Sequence, residues 1–450
     1  MAAEAADGLP GRERLWAMLA IGIAMSMAVL DGAIVNVALP VMARDLQVGP
    51  GAAIFITNGY QLAVTAALLP LASLGDILGY KRVYCTGLAL FTAASLACAL
   101  AGSLPVLVAA RIVQGLGAAG IMSVNIALVR FVYPHRMIGR GVGTMALIVA
   151  IASAAGPSVA AAVLSVASWP WLFLVNVPLG LAALTLATRT LPVTPRSGAR
   201  FDALSALLNA LVFCLLITGV DGLGEPERRG TALVLLAAAG LVGAAFVWMQ
   251  ARLPAPLLPI DLLRIPVFAL SMMSSVCSFS AQMMAYVALP FYFQDVLHLT
   301  STRTGLLMTP WPIAIAVIAP FAGRLADRYP PGLLGGIGLV ALSAGLALMA
   351  SLPADPSPLA IAWRLTLCGL GFGLFQSPNN KVIITSAPRE RSGGASGMQS
   401  TARLLGQSLG AAMVAVIFGT LHARGTTTVL WLASALALTG AVTSGLRVRR

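Results

Sequence analysis

Met27-Ala28-Val29-Leu30-Asp31-Gly32-Ala33-Ile34-Val35-Asn36-Val37-Ala38-Leu39-Pro40 sets one carboxylate, Asp31, in an otherwise apolar stretch, and its last four residues return at Val287-Ala288-Leu289-Pro290. Five further pairs keep that spacing to between 250 and 253 residues: Asp45 with Asp295, Asp76 with Asp327, Arg111 with Arg364, Arg140 with Arg391, and Gly141 with Gly393. So little drift over about a hundred residues marks a duplicated chain. Parallel repeats of this kind suit alternating access, with cargo held near the membrane midplane between the halves.

Composition says which solvent the repeats meet. Of 450 residues, 59% are hydrophobic and only 10% charged, and the mean hydropathy is +0.91. That leaves too few polar groups to cover a water-soluble globule. A hydrocarbon core about 30 Å thick takes roughly 20 apolar residues per helix, and apolar runs of that length recur from Leu15 to Leu446. Gly, Pro and charged residues delimit fourteen candidate spans, starting near 15, 52, 83, 105, 141, 171, 203, 230, 266, 304, 333, 357, 393 and 427. The expected architecture is an all-α integral membrane protein with a tail over 1–14, a six-helix repeat over 15–189, a two-helix insert over 202–250 and a second six-helix repeat over 265–446. The first run, Leu15 to Leu39, is too long for a signal-peptide core and reads as the first span.

The net charge of +13 does not read as a nucleic-acid footprint, because the basic residues punctuate the apolar runs instead of clustering among stacking aromatics. With the N-terminus in the cytoplasm, Arg44, Arg228, Arg229, Arg303 and Arg424 fall outside, Arg111, Arg364 and Arg403 lie within spans, and the other twenty of the 28 basic residues lie inside. This is the positive-inside bias, and the even span number places both termini in the cytoplasm. Lysine occurs only at 81 and 381, which hints at a GC-rich bacterial source and hence a bacterial cytoplasmic membrane. The five cysteines lack metal or disulfide spacing. His135, His298 and His422 fall in loops with no nucleophile and base in reach, so an enzyme is not expected. No metal or cofactor is expected either.

Asp31 is the one acid well inside a span, where a carboxylate costs about 2.5 to 3.5 kcal/mol on insertion scales and is functional by default. A structural carboxylate is the bland alternative. Arg111 is its expected partner: span one runs outward and span four inward, and at 1.5 Å per residue the two lie within roughly 5 Å of the same level. Burial favours a neutral acid and a nearby cation an ionised one, so making and breaking such a pair offers a proton switch; snorkelling of Arg111 to the headgroups is the alternative. Leu74 to Arg82 forms a short cytoplasmic turn, echoed at Gly323 to Arg328, in which Gly75 and Gly79 ease the chain, Asp76 caps a helix or pairs with a base, and Lys81 and Arg82 supply charge. Gly156-Pro157 predicts a kink in span five.

Candidate cavity residues are Asn36, Gln114, Gln282, Met283, Tyr286 and Arg364. Position 281, where the repeat would place a second Asp31, is Ala281, so Arg364 either meets an anionic or zwitterionic cargo or snorkels outward. Arg403, ten residues into span thirteen, is expected to reach back toward the cytoplasmic surface.

Together these motifs resemble those of the fourteen-span drug:proton antiporters of the major facilitator superfamily, over nearly the full chain. Leu30-Asp31 with Ile34 to Pro40 resembles the first-span signature, with Ala33 for its usual threonine. Ala72 to Arg82 resembles the loop motif, with Ala72 for the leading glycine and Ile77 for a basic residue. Arg111-Ile112-Val113-Gln114-Gly115-Leu116-Gly117 resembles the fourth-span motif almost unchanged, and Gly156-Pro157 the antiporter motif, with Ala160-Ala161 where two glycines are usual. The resemblance implies export driven by the proton gradient, with Asp31 and Arg111 coupling protons, Asp76 helping to lock one conformational state, and Gly156-Pro157 shaping span five. The partners it implies are a small, amphipathic drug or metabolite, protons and the lipid bilayer, with no nucleic acid and a monomer sufficing. A proton-coupled importer, or a dedicated exporter of an anionic or zwitterionic metabolite, shares the same architecture.

Overall fold

A computed structural model describes residues 8–48, 50–197, 201–223, 226–253, 260–299, 301–353, 356–388, 391–421 and 425–447. Among these, fourteen helices are long and apolar enough to cross a membrane. They are α1 (Gly11–Asp45), α2 (Pro50–Leu78), α3 (Tyr80–Ala99), α4 (Leu104–Val132), α5 (Ile138–Val166), α6 (Pro170–Thr190), α7 (Ala203–Gly222), α8 (Arg229–Gln250), α9 (Pro266–Phe291), α10 (Ser301–Met308 with Pro310–Ala326), α11 (Pro331–Ala350), α12 (Pro358–Ser386), α13 (Ser392–Leu421) and α14 (Gly425–Leu446).

Two of them are interrupted where proline dictates. α6 breaks at Val175 between Pro170–Leu174 and Asn176–Thr190, because Pro178 has no proton to donate to the carbonyl of Leu174. α10 breaks before Pro310, where Thr309 N donates back to Leu306 O at 3.3 Å in a tighter turn. α1 begins earlier than expected. The segment 11–14, assigned to a tail from its charge, is helical after Pro10, and Arg14 lies over the Tyr133 ring at 5.3 Å and donates to Met137 Sδ at 3.9 Å.

Contacts divide the chain into two units, 1–138 with 151–210 and 388–397, and 139–150 with 211–387 and 398–450. These borders cut across the repeats read from sequence: the start of α5 falls in the second unit, the start of α13 in the first, and the insert over 202–250 is shared out. Within the first unit α4 packs on α2 and α3, and α1 and α3 pack on α6. The second unit repeats the scheme eight helices on, α12 packing on α10 and α11, and α9 and α11 packing on α14. The seams repeat as well. A Cβ on Gly117 would lie 2.4 Å from Phe91 N, and one on Gly371 2.5 Å from Leu342 N, so glycine brings the paired backbones of α3–α4 and α11–α12 into contact in both copies.

One bond ties α7 to the first unit. Pro70, inside α2, leaves the carbonyl four residues back, Ala66, without its helical donor. Asn209 of α7, buried to 1% exposure, donates its amide to Ala66 O at 2.9 Å. The partner of a proline-orphaned carbonyl thereby comes from the inserted helix.

Candidate proton site and helix caps

Asp31 and Arg111 meet in the interior of the first unit. Asp31 Oδ2 accepts from Arg111 Nη1 in a short ion pair, and neither side chain is exposed by more than 1%. Asp31 Oδ1 accepts from Gln114 Nε2 at 2.9 Å and from Asn176 Nδ2 at 3.1 Å. Arg111 Nη1 also donates to Gln114 Oε1 at 2.6 Å, and Nε to Ile56 O at 3.2 Å. Gln114 donates further to Ser95 Oγ at 2.9 Å, and Cys98 Sγ lies 3.6 Å from Gln114 Oε1.

Helix geometry explains the cluster. Arg111 and Gln114, three residues apart, share a face of α4, α1 presents the acid, and Asn176 opens the longer piece of α6 just past its break. The guanidinium lies 4.2 Å from the Tyr60 ring centroid and 5.6 Å from that of Phe173, while Tyr60 Oη donates to Ala28 O at 3.0 Å. Arg111 Nη2 is buried without an acceptor among the described residues, so the rings supply its attraction. Gln114, expected to line a cavity, is instead occupied on both sides of the ion pair. Asn176, Ser95 and Tyr60 complete the site and were not singled out from sequence. For Asn176 there was a signal: it is the one polar side chain in the apolar run from Trp169 to Leu184.

The loop residues build a different device. Gly79 joins α2 to α3 at φ +95°, a conformation that favours glycine, and Thr194 Oγ1 accepts from Tyr80 N at 2.8 Å. Gly75 admits no side chain, since a Cβ there would lie 2.7 Å from Val124 Cγ1. Asp76 accepts from two backbone amides at the start of α13, Gly393 N at 2.9 Å and Gly394 N at 3.0 Å. Tyr80 Oη donates to Asp76 Oδ1 at 2.6 Å and accepts from Gly393 N at 2.9 Å. Arg130 Nη1 donates to Ser392 Oγ at 2.7 Å in the same turn. A carboxylate at a helix N-terminus satisfies free amides and meets the positive end of the dipole.

The second unit contains the copy: Asp327 accepts from Gly139 N at 3.0 Å and Arg140 N at 3.2 Å at the start of α5, and pairs with Lys381 at 2.8 Å. The repeat spacing of 251 residues relates Asp76 to Asp327 and also Arg130 to Lys381. Lys81 is half-buried and Arg82 exposed, and among the described residues neither forms a hydrogen bond or ion pair with Asp76.

Elsewhere, Gly156 is buried in α5, and the side chains of Asn36 and Pro157 lie outside the described set. Gln282 is buried and Met283 half-buried on α9; Tyr286 packs edge-on to Trp311 with centroids 5.0 Å apart. Arg364 folds back along its own helix, donating to Ala360 O at 2.7 Å and stacking 4.5 Å over Trp363. Arg403 was expected to reach back toward the cytoplasmic surface; its Nε is enclosed and has no acceptor among the described residues. No group of three His, Cys, Asp or Glu among the described residues is placed to hold a metal ion.

Fourteen apolar helices in two like-packed repeats, with a buried acid–arginine pair in the first, define a multi-pass membrane transporter. The chain belongs to the Major Facilitator Superfamily, whose model matches residues 21–411; members of this family are transporters, not enzymes. It is 55% identical to the uncharacterized transporter YebQ of Escherichia coli, over 98% of this chain and 97% of that one. It is 28% identical to the riboflavin transporter RibZ of Clostridioides difficile, over 89% and 87%, and 32% identical to the multidrug resistance protein Stp of Mycobacterium tuberculosis, over 90% and 75%.

Proposed function

We propose that the chain exports small amphipathic molecules from the bacterial cytoplasm in exchange for protons, with both termini cytoplasmic and one chain sufficient. The observation that carries this reading is the Asp31 network. Asp31 belongs to α1, Arg111 and Gln114 to α4, and Asn176 to α6, so one carboxylate joins three helices of the first repeat.

A proton and the Arg111 guanidinium compete for the same carboxylate. Protonation removes the charge and adds an O–H donor to a group that only accepted before, so Arg111 loses its ionic partner, which weakens the tie of α1 to α4. In the exchange cycle, ionised Asp31 is paired while cargo loads from the cytoplasm; a proton from outside then takes Asp31, the pair opens, and cargo leaves. Resetting returns the proton inward. The capped starts of α13 and α5, at Asp76 and Asp327, hold one state of the cycle until that switch is thrown. The export direction is supported by the likeness to Stp, a multidrug resistance protein.

Everted vesicles and proteoliposomes test the reading. Substrate enters everted vesicles when they are energised, and liposomes containing Asp31→Asn show no gradient-driven accumulation. Accumulation by that variant equal to wild type removes Asp31 from the mechanism, and substrate leaving energised everted vesicles makes the chain an importer.

A further inference from the structure

An arginine is expensive inside a membrane and is retained where something answers its charge. Arg111 is answered by Asp31, and Arg364 by the Ala360 carbonyl and the Trp363 ring. Arg447, at the end of α14, is answered by Ser271, Asn379 and Ser444. Arg403 has no hydrogen bond, ion pair or aromatic contact among the described residues, although its Nε is enclosed. The six helices α9 to α14 contain no Asp or Glu to answer it.

Its position on α13 excludes the two ordinary destinations. Leu405, Leu409 and Val416, exposed by 36%, 42% and 56%, mark the lipid face. At 100° per residue, Gln399, Ser400, Arg403 and Gln407 fall on the opposite side. Gln399 and Ser400 are buried. The flank beside this polar stripe is pressed onto α9, where a Cβ on Gly406 would lie 2.7 Å from Val276 O and one on Gly410 2.6 Å from Ser280 O. Arg403 therefore points away from lipid. Its Cα is about 16 Å along α13 from the first residue and about 5 Å short of the helix midpoint, too deep for the side chain to reach that end. Cargo sites of duplicated transporters lie near this depth.

We propose that Arg403, with Gln399 and Ser400 beside it, recognises a carboxylate or similar anionic group on the cargo. The guanidinium offers a planar fork that matches a carboxylate, and the neighbouring amide and hydroxyl add donors without neutralising the charge. Met283 of α9, which packs at Gly410 two turns further along α13, gives the apolar body of such a molecule a soft surface. The cargo class is thereby narrowed to amphipathic organic anions and zwitterions. This rests on the exporter reading for its meaning, but its test needs neither a gradient nor a direction.

Two dyes on one xanthene scaffold, anionic fluorescein and cationic rhodamine 6G, are titrated by fluorescence anisotropy against the full chain in lipid nanodiscs, with empty nanodiscs subtracted. Wild type is expected to bind fluorescein more tightly than rhodamine 6G. Arg403→Gln should weaken fluorescein about tenfold or more while leaving rhodamine 6G unchanged or tighter, and Arg403→Lys should keep most of the preference. Equal binding of the two dyes by wild type overturns the proposal, as does an unchanged ratio in a folded Arg403→Gln protein. Should Arg403→Gln fail to yield monodisperse protein, Gln399→Leu decides: a severalfold loss of fluorescein affinity supports the site and no change overturns it. Loss of proton-driven transport with the dye preference intact would sink the exporter reading and leave this one standing.

Discussion

Replacing Asp31 by Asn keeps the shape of the side chain and the amide bonds from Gln114 or Asn176, but leaves Arg111 as an uncompensated cation in the membrane interior. Two unit charges about 4 Å apart attract by about 4 kcal/mol at an effective dielectric constant of about 20, and removing one partner of a buried pair costs about 3–5 kcal/mol. The remaining acceptors of Arg111, Gln114 Oε1 and Ile56 O, are neutral and do not replace the carboxylate. Asp31→Asn is therefore expected to lower the free energy of unfolding in mixed micelles by about 3–5 kcal/mol. Adding Arg111→Gln removes the stranded charge together with a ring contact worth about 0.5–2 kcal/mol, so the double variant should recover to within about 2 kcal/mol of wild type. The coupling energy from the full cycle should exceed about 2 kcal/mol. Additive single costs, or a loss below about 1 kcal/mol for Asp31→Asn, would refute the reasoning, because the pair would then be replaceable by its neutral surroundings.

Three further outcomes follow from the geometry. Asn209→Leu strands the Ala66 carbonyl beneath α7 and should cost about 1–3 kcal/mol, read as a lower melting temperature and faster proteolysis between α6 and α7. Gly393→Ala places a Cβ 2.4 Å from Asp76 Oδ1, so it should slow transport at least as much as Asp76→Asn, measured as initial rates in proteoliposomes; a wild-type rate would show that the cap is idle. Gly79→Ala forces a side chain to φ +95° and should destabilise by about 1–2 kcal/mol, checked by thermal unfolding.

The fold was legible because lipid imposes few choices. Hydropathy placed the spans, and a spacing of 250 to 253 residues exposed the duplication before any contact was known. The pairing of Asp31 with Arg111 was legible from depth alone, since two helices of known direction put both residues at one level. Depth does not say which helices are neighbours, which is why Asn176 and Tyr60 went unnoticed. The loop acid was singled out, but its partners are the backbone amides of Gly393 and Gly394, and amides have no letter in a sequence. Arg364, for which an anionic cargo and outward snorkelling both stood open, and Arg403, expected to reach toward the cytoplasmic surface, differ for a local reason. A carbonyl and an indole lie within one turn of Arg364, whereas the neighbours of Arg403 along its face are an amide, a hydroxyl and another amide. The early start of α1 was hidden because charge suggested a tail where Pro10 opens a helix.

Proton release evoked by cargo tests the central claim most directly. Purified protein in lightly buffered detergent, with a pH indicator, receives a saturating dose of a transported substrate. Wild type should release protons into solution as cargo binds the paired, ionised form of Asp31, and Asp31→Asn should bind cargo and release none. Equal proton release from both proteins would contradict the account, for the proton would then reside on a group other than Asp31.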